Sequence, residues 1–367
     1  MEEHMSKKNV GIVGVGNISG IYLKNLTTVF ADRVELLGCA DLVPQRAAEA
    51  TAEYKLPKKY ASVDALIQDP DIDIVLNLTI PIAHHDVCLQ AIKAGKHTYV
   101  EKPLSIKLEE GKALVDEAAK QGVRVGGAPD TFLGGGIQTC RKLIDDGVIG
   151  EPVAATAFLA GHGHESWHPD PEFYYKAGGG PMFDMGPYYL TALINLIGPV
   201  RRITGSTRIT FPERTITSEP KNGTVINVDV PTHIAGVMDF RNGAVGTIIT
   251  SFDVWAANLP RIEIYGTLGS LSVPDPNTFG GEIKVKRAGD EDWSAVEFSH
   301  GYTENSRGLG VADMASAIDE GRQHRASGDL TYHVLECMHG FHIASDTNKH
   351  YELQSEGTQP EALPSDF

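Results

Sequence analysis

Short apolar runs alternate with amphipathic stretches over the first third of the chain. Residues 9–127 contain five near-continuous apolar runs, with the sequences VGIVGV, VELLGCAD, DIDIVLNLTI, HTYV and VRVGG. Between them lie stretches with helical spacing, among them VPQRAAEATAEYKL and IAHHDVCLQAIKAG. Apolar strands separated by helices are typical of a parallel sheet that is covered on both faces. The pattern therefore predicts a doubly wound α/β domain over residues 1–128.

The pattern changes from residue 129 onward. Two helical stretches, GIQTCRKLIDDG and PMFDMGPYYLTALINLIG, flank a strand-like run and a loop, and residues 200–300 carry runs of alternating polarity broken by turns such as RNG. These runs predict a second α/β domain over residues 129–350, built on a large, open and mostly antiparallel sheet. Two further helices close it, and the tail, 351–367, is expected to bury little.

Composition narrows the class of protein. A chain of 367 residues is longer than a single hydrophobic core usually accommodates, so two domains are expected. A formal net charge of −16 opposes nucleic acid and anionic membrane surfaces. The four cysteines form no CxxC pair, and no apolar run approaches the ~20 residues that cross a bilayer. From the polar first residues we expect no signal peptide. We expect a soluble cytoplasmic protein.

The segment GIVGVGNISG predicts a dinucleotide site. Gly14 and Gly16, with Ser19 as the third small residue, fit the pattern G-x-G-x-x-G/A between a strand and a helix that starts near Ile18. Such glycines permit close approach of a pyrophosphate, which the free amides around Asn17 and Ile18 would bind. The alternative is a plain strand-to-helix turn.

Asp41 strengthens this interpretation. It ends the second apolar run, 22 residues after Ser19, where a carboxylate accepts both hydroxyls of the adenosine ribose. A carboxylate there repels a 2′-phosphate, which favours NAD over NADP. The alternative role for Asp41 is that of a helix N-cap.

The segment HTYVEKP places a lysine at the end of another apolar run. Ligands of doubly wound sheets lie beyond the carboxyl ends of the strands, so Lys102 is expected to point its ammonium at the nicotinamide and the substrate. Pro103 removes an amide donor and can adopt the cis form, which would fix the direction of the lysine. The alternative is a surface turn.

Residues 161–189 are rich in His, Trp, Tyr, Gly and Pro. Asp184 and Tyr188 lie four apart on one face of a predicted helix and could hold the hydroxyls of a polyol. The aromatic residues that could wall a sugar are Trp167, Tyr174 and Tyr175. Three histidines, His162, His164 and His168, could suggest a metal, but no acidic cluster accompanies them and no metal is expected. The alternative is an ordered loop at a subunit contact.

Together these segments resemble the Gfo/Idh/MocA family of oxidoreductases. The resemblance rests on GVGNIS, CAD, AIKAGKHTYVEKP, KLIDDGVIGEP and GGGPMFDMGPYYLTALINLIGPV, in this order, and extends to about residue 350. It implies a Rossmann domain with a tightly held NAD(P). It also implies a second domain whose sheet binds substrate on one side and packs against other subunits on the opposite side, in a homodimer or homotetramer.

The resemblance also implies roles for individual residues. Lys102 would lie between the nicotinamide and the reacting hydroxyl, and Glu101 near the nicotinamide ribose. The T-x-x-x-x-H segment along the cofactor would comprise Thr79, Pro81 and His84. The residues implied on the substrate side are His162, Trp167, His168, Tyr175, Asp184 and Tyr188.

Two positions depart from the family pattern. Many relatives carry histidine as the proton acceptor where this chain has Tyr188, and often Asn-Arg within the segment APDTF at 128–132. A phenol has an ordinary pKa near 10, which the ammonium of Lys102 would lower. Either side chain could accept the proton.

The sequence thus predicts an NAD-dependent dehydrogenase for a secondary hydroxyl of a sugar, glycoside or cyclitol bound between the domains. Asp184 would orient the neighbouring hydroxyl. The alternatives are an NAD-binding sensor without turnover, an NAD-dependent glycosidase and an interaction protein.

Overall fold

The computed structural model describes residues 7–367, which form two compact units. Unit 1 comprises residues 7–133 and Asn305–Tyr332, and unit 2 comprises Gly134–Glu304 and His333–Phe367. Within residues 7–367, no helix combines the length and the apolar character needed to cross a membrane. All four cysteines are buried and unpaired.

Unit 1 is built on a parallel five-stranded sheet. Its elements up to residue 127 are β1 Lys8–Val13, α1 Ser19–Thr27, β2 Val34–Ala40, α2 Pro44–Glu53, α3 Val63–Ile67, β3 Ile74–Asn77, α4 Pro81–Lys93, β4 His97–Val100, α5 Leu108–Gln121 and β5 Val125–Gly127. The strand order is β2-β1-β3-β4-β5, and every neighbouring pair is parallel. The predicted doubly wound sheet is confirmed.

The order of the strands fixes where this sheet can bind a ligand. The chain adds β2 on one side of β1 and β3 on the other, so the topological switch point lies between β1 and β3. Helices on both faces cover strands whose side chains are almost all buried, β3 being buried at every position. Ligands of such sheets bind beyond the carboxyl ends of the strands at the switch point, which here are the segments following Val13 and Asn77.

Unit 2 is built on a nine-stranded mixed sheet. The remaining elements of the chain are α6 Gly135–Asp145, β6 Pro152–Ala160, α7 Gly180–Ile197, β7 Val200–Arg208, β8 Glu213–Thr215, β9 Val225–Asn227, β10 His233–Phe240, β11 Val245–Ser251, β12 Ile262–Gly266, β13 Gly269–Val273, β14 Ile283–Arg287, β15 Ser294–Val296, α8 Leu309–Glu320, α9 Gly328–Thr347 and β16 Tyr351–Glu352. The sheet order is β15-β14-β13-β12-β6-β11-β10-β7-β16, and only β6 and β11 are parallel. The predicted large, mostly antiparallel sheet is confirmed.

Alternating side chains explain how this sheet is covered. In β10, every second residue is buried, and the apolar helix α7 packs on the sheet over β6, β10 and β11. One face of the sheet thus forms the core of unit 2 with α7. The short strands β8 and β9 pair separately from the large sheet.

The segment Asn305–Tyr332 belongs to unit 1, whereas the sequence analysis placed it in the second domain. The helix α8 begins after Gly308, whose amide donates to the buried carboxylate of Asp130 at 2.9 Å. The guanidinium of Arg124 donates to the carbonyl oxygens of Arg322 and Ala317. These contacts join residues nearly 200 positions apart, which local sequence pattern cannot reveal.

The C-terminal tail packs more closely than predicted. Strand β16 pairs with β7, and Leu353 and Leu363 are buried. The amide of Leu363 donates to the side chain of Gln138 at 2.8 Å. The expectation that residues 351–367 bury little was therefore wrong, because two widely spaced leucines anchor an otherwise polar tail.

Candidate functional site

The turn after β1 has the geometry of a dinucleotide loop. Gly14 has φ +97°, and a Cβ there would lie 2.8 Å from the backbone of Leu78 in the turn after β3. Only glycine fits this close approach. By contrast, a Cβ on Gly16 would meet nothing within 4 Å, so open space lies beside its backbone.

The start of α1 is prepared for an anion. Asn17 is exposed and Ile18, the N-cap residue, is half-buried without a side-chain cap. Ser19 turns its hydroxyl back to the carbonyl oxygen of Gly16 at 2.7 Å. The first amides of α1 thus have no capping side chain, and the positive end of the helix is left for an anionic ligand.

Asp41 is fixed beside this turn. Its carboxylate accepts the amide of Val15 at 2.7 Å and the amide of Val43 at 2.7 Å, one on each oxygen. The N-cap of α2 is Val43, so Asp41 is not the helix cap considered as its alternative role. Each carboxylate oxygen keeps a further lone pair, which suits the two hydroxyls of a ribose.

His84 holds two loops of unit 1 together. The ring is fully buried on α4, with Nδ1 2.7 Å from the carbonyl oxygen of Pro103 and Nε2 3.0 Å from that of Thr79. Pro81 is the first residue of α4 and is partly exposed. Burial lowers the pKa of His84, opposed by the two carbonyl oxygens and by Glu101. Both ring nitrogens are occupied by backbone, so the ring positions the loops.

Glu101 is anchored on the other side of Lys102. Its carboxylate accepts the hydroxyl of Tyr22, on α1, at 2.7 Å and the amide of Lys102 at 3.0 Å. Burial, and then the charge of Glu101, raise the pKa of Tyr22 well above its ordinary value. The peptide bond between Lys102 and Pro103 is cis, a form that the sequence analysis allowed. The backbone of the half-buried Lys102 is therefore held from both sides.

Asp130 explains one departure from the family pattern. The residue is 1% exposed, and one carboxylate oxygen accepts the amides of Gly308 and Gly310 at the start of α8. Burial raises its pKa to about 6 against the effect of these amides. Its contacts are thus with the fold of unit 1, at a position where the sequence analysis left the role open.

Exposed apolar residues surround the switch point, a feature that the sequence analysis missed. Leu42 is 93% exposed after Asp41, and Ile80 and Ile82 are 67% and 73% exposed after β3. Large apolar side chains exposed together mark a binding surface. In the sequence these residues appear as apolar positions shortly after a strand. The polarity pattern alone places such positions in the core.

These residues fit the NAD cofactor that the sequence predicts. Gly16 leaves room for the pyrophosphate, the uncapped start of α1 offers amides, and Asp41 offers acceptors to the ribose. Leu42 and Ile80 offer apolar surface to the adenine. Thr79 keeps its hydroxyl on the side chain of Asn77 at 2.6 Å, which fixes the turn after β3.

In unit 2, Asp184 lies against a histidine. Asp184 occupies the second turn of α7, and its Oδ2 is 3.4 Å from Nε2 of His164. Both side chains are nine-tenths buried or nearly so, at 13% and 12% exposed. Tyr188, one helical turn on, is 7% exposed. The predicted shared face of Asp184 and Tyr188 agrees with the observed helix.

His164 is a functional candidate that the sequence analysis did not assign. It considered this residue only as one of three possible metal ligands. Its ring stacks on Tyr174 with centroids 3.7 Å apart and meets the edge of Phe252 at 4.7 Å. Nothing in the local sequence distinguishes His164 from His162, because only the folded loop brings it to α7.

The other predicted residues of this loop have different environments. Trp167 is 61% exposed and lies 5.3 Å from the ring of His164. His168 contacts Trp167, and burial followed by His164 lowers its pKa. His162 stacks on Trp255 with centroids 3.3 Å apart.

Tyr175 does not offer the apolar wall that was expected. It is fully buried, and its hydroxyl donates to Glu165 at 2.7 Å. Glu165 also accepts Nη1 of Arg214 at 2.6 Å, and Arg214 pairs with Asp253 through Nη2. Burial raises the pKa of the Tyr175 phenol, and Glu165 adds to this. Tyr175 therefore belongs to a buried polar cluster that fixes the loop.

The histidines do not form a metal centre with their neighbours. Across residues 7–367, no three side chains of His, Cys, Asp or Glu meet in an arrangement that could hold a metal ion.

Two family models match the chain. A model described as an oxidoreductase family with an NAD-binding Rossmann fold matches residues 8–127, and the GFO/IDH/MocA C-terminal domain matches residues 137–272. Together they cover most of both units.

Individual relatives are more distant. An inositol 2-dehydrogenase/D-chiro-inositol 3-dehydrogenase of Lactiplantibacillus plantarum is 34% identical over 155 residues, 41% of this chain and 43% of the relative. A myo-inositol 2-dehydrogenase of Thermotoga maritima is 25% identical over 71% of this chain and 74% of the relative. The first match thus spans less than half of that relative's length.

Solved structures share the fold. A levoglucosan dehydrogenase in complex with NADH and L-sorbose superimposes with a TM-score of 0.81 at 22% identity, over 95% of this chain and 99% of that chain. An aldose-aldose oxidoreductase from Caulobacter crescentus, complexed with glycerol, gives a TM-score of 0.78 at 20% identity over 95% of this chain and all of that chain.

Proposed function

The chain belongs to the Gfo/Idh/MocA family of oxidoreductases, and from this we propose that it oxidises a secondary hydroxyl of a sugar, glycoside or cyclitol with NAD. The observation that carries the proposal is the anchoring of Lys102. Glu101 is bonded to Tyr22 and Pro103 to His84, so the lysine leaves a rigid backbone next to the predicted nicotinamide position. The relatives act on inositols and on levoglucosan by their names, which supports a polyol substrate.

The reaction divides into two transfers. A secondary alcohol becomes a ketone by losing a hydride from its carbinol carbon and a proton from its hydroxyl. NAD, when bound, supplies the acceptor for the hydride. The protein must bind the hydroxyl, fix its direction and remove its proton, and general-base help of this kind contributes about 10²–10⁴ in rate.

We assign the removal of the hydroxyl proton to Lys102 and Tyr188 acting together. The ammonium of Lys102 donates a hydrogen bond to the hydroxyl oxygen and stabilises the negative charge that develops there. The phenolate of Tyr188 accepts the proton and passes it to solvent. A cation beside the phenol of Tyr188 would favour its ionised form.

Asp184 orients the substrate. Its carboxylate accepts a hydrogen bond from the hydroxyl next to the reacting one, so a substrate needs two neighbouring hydroxyls. His164, 3.4 Å away, fixes the carboxylate in one orientation. Holding the substrate in a reactive geometry in this way removes much of the entropic barrier.

A direct spectrophotometric assay tests the function. Purified protein is incubated with NAD and a panel of inositols, aldoses, methyl glycosides and disaccharides, and the absorbance of reduced nicotinamide is followed. We expect Lys102→Ala to lose at least about 100-fold in turnover while NAD binding, measured by calorimetry, is retained. Lys112→Ala, at an exposed lysine of α5, is the matched control and should retain full turnover.

The outcomes separate the proposal from the alternatives. Unchanged turnover in Lys102→Ala overturns the role of the lysine. Binding of NAD with no reduction by any compound of the panel favours a sensor. Release of an aglycone without accumulation of reduced nicotinamide favours a glycosidase that uses the cofactor transiently.

A further inference from the structure

Unit 2 contains a cavity of about 580 Å³ beside the loop that carries His164. This volume is within the range of sites for small molecules. The cavity is lined by the start of that loop, by Phe211 and β8, and by the segment after β11. Its lining includes His162, Phe211, Glu213, Arg214, Thr215 and Trp255. Apart from the predicted substrate role of His162, none of them has been given a function above.

Aromatic side chains form one wall of the cavity. Trp255 is 81% exposed although one side of its ring stacks on His162, with an interplanar angle of 17°. Phe211 is 41% exposed and meets the ring of His162 at a steep angle of 74°. An exposed indole held flat by a neighbouring ring is a rigid platform for an apolar ligand face.

Polar atoms in the same lining lack partners. Nε of Arg214 and Nδ1 of His162 are buried and bond to nothing among the described residues. Arg214 itself is 5% exposed, so its free N–H costs free energy unless a ligand or water accepts from it. A hydroxyl group matches the chemistry of either atom, because it can donate to an unprotonated imidazole nitrogen and accept from a guanidinium N–H.

The charges in the lining disfavour an anionic ligand. The charge of Arg214 is already paired with Glu165 and Asp253. Glu213 adds a further carboxylate on an exposed position of β8. A phosphate or uronate would therefore meet net negative charge, whereas a neutral saccharide ring would not.

The cavity and the place proposed for the reacting sugar share one loop. Gly163 and Glu165 line the cavity, and His164 between them contacts Asp184. We propose that this cavity is a second saccharide subsite, which binds the neighbouring ring of a disaccharide or larger glycoside on Trp255. The inference rests on the proposed function, and it makes a neutral glycoside of at least two rings a better substrate than a free cyclitol.

Binding of non-ionic sugars tests the subsite directly. Calorimetry on the NAD-loaded protein compares cellobiose and maltose with myo-inositol, for the wild type, Trp255→Ala and Leu259→Ala. Leu259 is a matched control because it is half-exposed on the same segment and does not line the cavity. We expect Trp255→Ala to weaken disaccharide binding by about tenfold or more and to leave myo-inositol unchanged, and Leu259→Ala to change neither.

A variant that removes one charge gives an independent test. It changes the charge of the lining and keeps the size of the side chain. The wild type should bind cellobiouronic acid, a disaccharide with one uronate ring, more weakly than cellobiose, and Glu213→Gln should reduce that difference several-fold. Disaccharide binding that is equal in wild type and Trp255→Ala, or a uronate preference that Glu213→Gln leaves unchanged, overturns the subsite. Disaccharide binding that depends on Trp255 without any reduction of NAD contradicts the proposed function and leaves the subsite standing.

Discussion

Glu165 should be the most sensitive position of the loop that carries His164. Its carboxylate bonds Arg214 on one oxygen and Tyr175 on the other, and its carbonyl oxygen accepts the amides of Thr217 and Ser218. Replacing Glu165 with alanine keeps the backbone bonds. It leaves a buried guanidinium with one carboxylate partner fewer and a buried phenol without its acceptor.

The cost follows from burial. The side chains of Arg214 and Glu165 are 4% and 11% exposed, so the substitution leaves a largely buried guanidinium with one carboxylate partner fewer. Removing one member of a buried ion pair costs 3–5 kcal/mol, and Asp253 retains part of the pairing, so we expect a loss of about 3 kcal/mol in the free energy of unfolding. Tyr175→Phe deletes only the hydroxyl and should cost about 1 kcal/mol.

Urea unfolding followed by circular dichroism measures this loss. With a slope of about 3 kcal/mol per molar urea, Glu165→Ala should lower the unfolding midpoint by about 1 M. Asp229→Ala, which breaks an exposed pair with Lys176, is the control and should change it little. Equal midpoints for Glu165→Ala and Asp229→Ala would refute the reasoning.

Three further predictions concern unit 1 and pH. Asp41→Ala should raise the preference for NADP over NAD at least about tenfold, measured as the ratio of kcat/KM values for the two cofactors. His84→Ala should lower kcat while the protein stays folded by circular dichroism; an unchanged kcat would show that the loops hold without it. Burial lowers the pKa of His324 and of His333 to about 4, so the folded state binds fewer protons than the unfolded state between pH 4 and 6.5. The free energy of unfolding should therefore fall as pH falls from 6.5 to 4, by up to about 3 kcal/mol for each histidine. The raised pKa of Asp130 has the opposite effect over part of this range. A urea midpoint that stays constant between pH 6.5 and 4 would contradict the prediction.

The sheets were predictable because the local pattern of apolar and polar residues indicates which side chains of each strand are buried. Each strand of unit 1 is an apolar run, and β10 alternates buried and exposed residues as its sequence suggests. The turn at Gly14 follows from a residue type that readily adopts positive φ. Such features depend on neighbours in the chain.

What the sequence did not reveal depends on distant residues. The role of Asp130 requires Gly308, and the pairing of Asp184 requires a loop that returns to α7 at His164. Tyr175 was expected to form an exposed wall, because its partner Glu165 lies ten residues away in the same loop and Arg214 comes from β8. In each case the contact that decides the role of the residue forms only in the folded chain. The pattern of polar and apolar residues along the sequence does not predict such contacts.

The transfer of a labelled hydrogen tests the central claim most directly. Inositols, methyl glycosides and disaccharides deuterated at every carbinol carbon are incubated with NAD and the protein, and the reduced nicotinamide is analysed by mass spectrometry. The account predicts one deuterium in each molecule of reduced nicotinamide, with the signal lost in Lys102→Ala. Reduced nicotinamide without deuterium, or none formed from any of these compounds by protein that binds NAD, would contradict it.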